Sequence, residues 1–133
     1  MKRSLMLALP ILAAACAPGS SNRPDGYRPA PGRMEEGLAS WYGREFHGRT
    51  TASGIPFDSR AMVAAHPTHP FGTRVRVHRI ASGRSVDVEI VDRGPAAGPR
   101  REGVVIDVSE GAAEALEFIR AGRTRVRVEV LSR

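Results

Sequence analysis

The sequence is short of cysteine, lysine and long apolar runs, and each shortage excludes something. Its 133 residues contain one cysteine, Cys16, so an internal disulfide is impossible, as is a multi-cysteine zinc or iron–sulfur site. Lysine occurs once, at Lys2, so every other cationic side chain is Arg. The apolar stretch from Leu5 to Leu12 is too short to cross a hydrocarbon core of about 30 Å. The length suits one domain and excludes a large multi-domain enzyme. What is present is an ordinary globular composition, 41% hydrophobic and 26% charged with a formal net charge of +6, neither disordered nor membrane-spanning.

The N-terminus reads as an address. Lys2 and Arg3 precede the apolar stretch, and Ala13-Ala14-Ala15 lead into Cys16. This is similar to the lipobox of bacterial lipoproteins, with Ala13 where that motif prefers Leu. The resemblance implies a leader over 1–15 cut before Cys16, whose sulfur and amine are then acylated, palmitate included. An ordinary secretory leader with an incidental cysteine is the alternative, but the sole Cys falls at the cleavage point. Several acyl chains anchor stably where one does not. Ala17 instead of Asp after the Cys resembles the signal for the outer membrane, which places the mature protein on that membrane's periplasmic face. Residues 16–36 are rich in Pro, Gly and polar groups with no apolar period. They read as a lipidated flexible tether.

From 37 to 133 the pattern is short strands separated by turns. Leu38–Tyr42 and Ala61–Ala65 are β-prone runs, and Thr73–Ile80 alternates, with Val75 and Val77 on one face and cations on the other. Ala81-Ser82-Gly83-Arg84 reads as a hairpin turn into Ser85–Val91. Val104–Val108 is a buried-type strand, and Thr124–Leu131 alternates again. One helix is signalled, with Ser109 as N-cap and Gly122 just past its end. Six short strands and one helix predict a small closed barrel, since closure removes exposed edges.

Three places carry chemistry. Trp41, Tyr42 and Phe46 sit among glycines in 37–54, and flat aromatic faces beside close-approaching backbone suit sugar rings. Trp41 is equally readable as a core residue, and for Phe46 the core is the better reading. His66 and His69 lie three apart, but the intervening prolines break any helix that would align them and no third ligand follows, so no metal site is expected. His66 is instead a candidate for proton handling or a structural histidine at a strand end. Asp92 continues the face of Val86, Val88 and Ile90. A carboxylate there is desolvated and suited to general acid work, or it serves as an ion-pair partner of Arg93 or a turn cap.

Together, Ala39-Ser40-Trp41-Tyr42-Gly43, Phe46–Gly54 with Ser53, Ala64-Ala65-His66, Pro70–Val77, Asp92-Arg93-Gly94-Pro95 and Ile106–Ser109 closely resemble the rare lipoprotein A family. The resemblance covers about 37–131. It implies a mainly β fold, a six-stranded double-psi β-barrel with one short helix, related to expansins. It also implies a lytic transglycosylase that cleaves peptidoglycan glycan strands, preferably stripped of stem peptides, to 1,6-anhydro-N-acetylmuramic acid ends. By position Asp92 matches the family's catalytic Asp and His66 its active-site His, and Trp41, Tyr42, Ser53 and Arg93 fall in substrate-binding motifs. The chain departs at Ile55, where the family has Glu. Asp58 and Glu45 are the alternative carboxylates nearby. The loop after Pro95 is a few residues longer, with Ala96 in place of an aromatic.

Ile55 opens a second reading, a non-catalytic expansin-like wall-binding and wall-loosening lipoprotein. No cofactor or metal is expected, and the expected partners are glycan strands and a lipid surface, with the protein a monomer. Arg74, Arg76, Arg79, Arg123, Arg125 and Arg127 make basic strand faces, but export and strict alternation favour solvated surface over nucleic-acid binding.

Overall fold

The computed structural model describes residues 28–132, so the leader, Cys16 and most of the tether lie outside the described residues. Six strands form one closed barrel, in the order β1-β5-β2-β4-β3-β6: β1 (Met34–Tyr42), β2 (Val63–Ala65), β3 (Arg74–Arg79), β4 (Ser85–Asp92), β5 (Val104–Ser109) and β6 (Arg123–Ser132). Two pairs are parallel, β1 with β5 and β2 with β4, and the rest are antiparallel. The expected strand faces hold: Val75, Val77, Val88, Ile90, Val126 and Val128 are all buried in the barrel. The outward arginines meet carboxylates, Arg76 bidentate on Asp87 at 2.7 and 3.1 Å and Arg127 on Glu36 at 3.0 Å. Much of the basic surface is therefore matched locally.

Three sequence expectations are corrected. β1 begins at Met34, three residues inside the segment read as tether, because Met34–Glu36 pair with β6. The loop after Pro95 contains a second short helix, α1 (Ala97–Arg101). The expected helix, α2, runs only from Glu110 to Ala115. Ser109 caps it as anticipated, its Oγ accepting from Ala112 N at 3.2 Å. It stops early because Glu117 takes a left-handed conformation (φ 61°). Phe118 N then donates to Ala113 O and Glu117 N to Glu114 O, both at 3.0 Å, a Schellman closure that tucks Phe118 into the core.

Candidate active site

Strand register builds the site. Strict alternation would put Asp92 on the inward face of Ile90, but β4 bulges: Ala64 pairs with Ile90 and Ala65 with Asp92, leaving Val91 unpaired. The extra residue turns Asp92 to the opposite face of the sheet. There it joins one row across four strands, Ser40 of β1 opposite Asp107 of β5, Asp107 opposite Ala65 of β2, and Ala65 opposite Asp92 of β4. A two-residue step along β1 adds Tyr42 to that face.

This row floors a cleft of about 340 Å³ whose walls include Tyr42, Phe46, Arg49, Thr51, Phe57 and Arg93. Phe57 is buried and stacks on Tyr42 at 4.3 Å, while Phe46 meets the same ring edge-on at 6.0 Å and is 38% exposed. Phe46 is therefore a lip of the cleft and not the core residue its sequence context suggests. Its ring also borders a second hollow of about 420 Å³ with Trp41, Gly43 and Glu45, contiguous through Tyr42 and Phe46. Trp41 is half-buried against the core, its indole N–H donating to Ile119 O at 3.3 Å.

The two carboxyl groups in the cleft differ in environment. Burial pushes the Asp107 carboxyl up from its ordinary range; hydrogen bonding from Ser40 and the charge of Arg123 oppose this, and the charge of Asp92 adds to it. Asp92 is half-buried, and its Oδ1 accepts from Ala52 N and Arg93 N, each at 2.9 Å. Its Oδ2 takes no hydrogen bond from the described residues, so its lone pairs stay available. Tyr42 adds a donor: its hydroxyl is buried with no partner among the described residues. Burial first, then the Asp92 and Asp107 charges, push that phenol well above its usual range.

The other expected residues fall as follows. Arg93 lines the cleft, pinned by His66 O at 3.3 Å and His69 O at 2.8 Å and lying over the Phe71 ring at 4.0 Å. Ser53 bonds Thr51 Oγ1 and Val91 O in the loop beneath and does not line the cleft. Ile55 is 47% exposed at the Thr50–Pro56 hairpin, and its side chain is outside the lining too. Neither nearby carboxylate takes the vacant role: Glu45 faces the second hollow, and Asp58 is exposed beside Arg60 N and His47. Asp107 was visible only as part of Ile106–Ser109; the signal that marked Asp92, a carboxylate continuing an apolar stripe, is absent there, and strand register brings Asp107 to the cleft.

His66 lies apart from the cleft, in the place of a structural histidine. It is 3% exposed and outside the cleft lining, with Nε2 3.0 Å from Glu35 Oε1. The His69 ring stacks on it at 3.8 Å with a 4° interplanar angle. Glu35 supplies the third ligand type that sequence spacing did not, since ligand atoms of Glu35, His66 and His69 lie within 4.8 Å. The cluster nonetheless fits a metal poorly. Parallel stacked rings do not aim in-plane lone pairs at one point. Moreover, a metal-bound imidazole ordinarily donates N–H from its second nitrogen, whereas His66 Nδ1 accepts from Thr68 N and His69 N.

Comparisons with known proteins agree with this architecture. Residues 34–128 match the family model described as lytic transglycolase. A relative named endolytic peptidoglycan transglycosylase RlpA, from Campylobacter jejuni, is 40% identical over 102 residues, covering 77% of this chain and 36% of that protein. The chain spans about a third of the length of the curated relatives it matches. Among solved structures, the Streptomyces papain inhibitor superposes with a TM-score of 0.59 at 22% identity, covering 76% of this chain and 96% of that one. An expansin from Clavibacter michiganensis superposes at 0.56 with 24% identity, covering 74% and 50%. These two show the fold alone, the double-psi barrel. By its matched residues and its barrel, the chain belongs to the lytic transglycolase family of rare lipoprotein A-type domains.

Proposed function

We propose that this domain is a peptidoglycan lytic transglycosylase whose working pair is Asp107 and Asp92. The observation that carries it is that pair: a carboxyl raised by burial beside one that keeps an oxygen free, in a cleft walled by aromatics. Protonated Asp107 donates to the glycosidic oxygen as the bond from muramic acid C1 breaks. Asp92 Oδ2 takes the proton from the same sugar's O6, which bonds to C1. The products are a 1,6-anhydro end and a free hydroxyl, with no water consumed. The glycan continues past Phe46 into the hollow bordered by Trp41. Incubating the soluble domain with denuded strands and finding 1,6-anhydro products by mass spectrometry tests the reading; absence of product overturns it.

The preference for denuded strands has a candidate cause in Arg49. Its guanidinium lies over the Phe46 ring at 5.4 Å and has no carboxylate partner among the described residues. A muramic acid without a stem peptide presents a free lactyl carboxylate, and pairing with it is a charge-assisted contact. Arg49→Ala is expected to raise KM for denuded strands about tenfold, leaving peptide-bearing strands unchanged. An equal effect on both substrates refutes the assignment.

The expansin-like reading rests on Ile55. With Asp107 as the second carboxyl, Ile55→Glu is expected to change glycan release by no more than about twofold, as for other surface substitutions. A silent wild type revived by Ile55→Glu supports the expansin-like reading instead. Carriage on the periplasmic face of the outer membrane by a lipid at Cys16, on a tether and as a monomer, belongs to the proposal. It rests on the leader sequence, and mass spectrometry of the membrane-extracted protein tests the lipid.

A further inference from the structure

Glu35 occupies a position where an acid needs a reason. It pairs with Val128 of the adjacent strand β6, whose side chain is buried, so its own side chain is turned inward at the barrel's end. Its neighbours Met34 and Glu36, on the other face, are exposed. What it meets is His66, Oε1 to Nε2 at 3.0 Å. The carboxyl is held below its ordinary value, chiefly by that hydrogen bond, with burial opposing and the charge of Arg33 assisting.

The consequences run from the ring to the cleft through contacts of ordinary length. His66 Nδ1 accepts from Thr68 N at 3.1 Å and His69 N at 3.0 Å, so His66 carries its proton on Nε2 and donates that N–H to Glu35 Oε1. Those two bonds fold the 66–69 turn. The carbonyls of that turn, His66 O and His69 O, grip the Arg93 guanidinium. His66 N donates to Asp92 O at 3.1 Å, and Arg93 N donates to Asp92 Oδ1 at 2.9 Å. The turn that the imidazole organises thus holds the Asp92 carbonyl directly and the Arg93 side chain beside it, while Arg93 N and Ala52 N hold Oδ1.

We infer that Glu35 is a positioning residue for the cleft: it fixes the Nε2–H form and orientation of His66, and through the 66–69 turn it sets Arg93 and Asp92. Neither Glu35 nor His66 lines the cleft. The inference about catalysis rests on the proposed lytic transglycosylase activity. The step from Glu35 to His66 does not.

Two substitutions separate this role from a merely structural one. Gln keeps an oxygen that accepts Nε2–H, and Ala keeps none. In Glu35→Ala, kcat for glycan release is expected to fall about tenfold to a hundredfold, the scale of a small misplacement of a reacting group. KM changes less than about twofold, since a loss confined to kcat marks an interaction with the transition state. Glu35→Gln is expected to retain most of the wild-type kcat. Long-range proton–nitrogen NMR of the histidines reads the other half directly. The Nε2–H signature of His66 persists in wild type and Glu35→Gln and is lost or mixed in Glu35→Ala, with shifted amides at Arg93 and Ala52. Equal kcat losses in both variants, or an unaltered His66 signature with unaltered kcat in Glu35→Ala, overturns the inference. If wild type releases no product, the NMR arm still decides whether Glu35 sets His66 and the cleft amides, so failure of the activity and failure of the positioning are distinguishable.

Discussion

Asp107→Asn is expected to lower kcat/KM for glycan release by about 10²- to 10⁴-fold, the usual contribution of a positioned acid or base. The change is isosteric, and Ser40 Oγ can still donate to the amide oxygen where it now donates to Oδ1, so thermal unfolding should move little. Asp92→Asn is expected to fall in the same range, because a carboxamide is too weak a base to take the O6 proton. The two losses should not add, since the groups act on one transition state. The sign of the pH dependence follows from burial. A carboxyl raised above its ordinary value works as an acid only while protonated, so the wild-type rate should decline as pH rises through the raised value of Asp107. Part of that rise comes from the charge of Asp92. In Asp92→Asn the Asp107 carboxyl should therefore titrate lower, which carbon NMR of the side chain measures directly. An unchanged rate in Asp107→Asn removes Asp107 from the chemistry. An unchanged or higher Asp107 titration in Asp92→Asn removes the coupling.

Much of the barrel was legible because alternation reports which face is buried, and Val75, Val77, Val88, Val126 and Val128 obey it. Where reading failed, the cause was an event that alternation does not encode. One residue inserted at Val91 moved Asp92 to the other face and into register with Asp107. The end of α2 went to a glutamate, because burying Phe118 and closing the last turn outweighed the strain of a left-handed Glu117. Phe46 followed the glycines around it onto the lip. Glu35 sat in a segment without apolar period and so read as tether, although β6 extends far enough to pair with it. The aromatic and Asp92 motifs located the cleft; the partner of each site residue came from strand register, which one chain's local pattern does not carry.

That dependence on register makes Gly111 the position whose loss should do the most structural harm. A β-carbon there would lie 2.5 Å from Arg60 O and 2.9 Å from Arg60 C, main-chain atoms that no rotamer change can clear. Gly111 N already donates to Ser59 O at 2.9 Å, so the two segments are bound at this distance. The 59–60 segment must shift, and it is the far end of the loop that carries Phe57 onto Tyr42 and Thr51 into the cleft wall. Overpacking of this kind costs about 1–3 kcal/mol. In a barrel of this size that lowers Tm by roughly 4–8 °C per kcal/mol. Gly111→Ala should therefore unfold clearly earlier by circular dichroism and lose glycan release at temperatures where it remains folded. Gly98→Ala is the control: it sits in α1 with nothing within 4 Å of the added carbon. Its added carbon meets nothing beyond its own chain neighbours, and the one cost is the strain of a helical Ala before Pro99, so its melting temperature should fall less than that of Gly111→Ala. Equal melting temperatures for the two variants would mean that α2 slides freely on the 59–60 segment, and the cleft wall would then owe nothing to their contact.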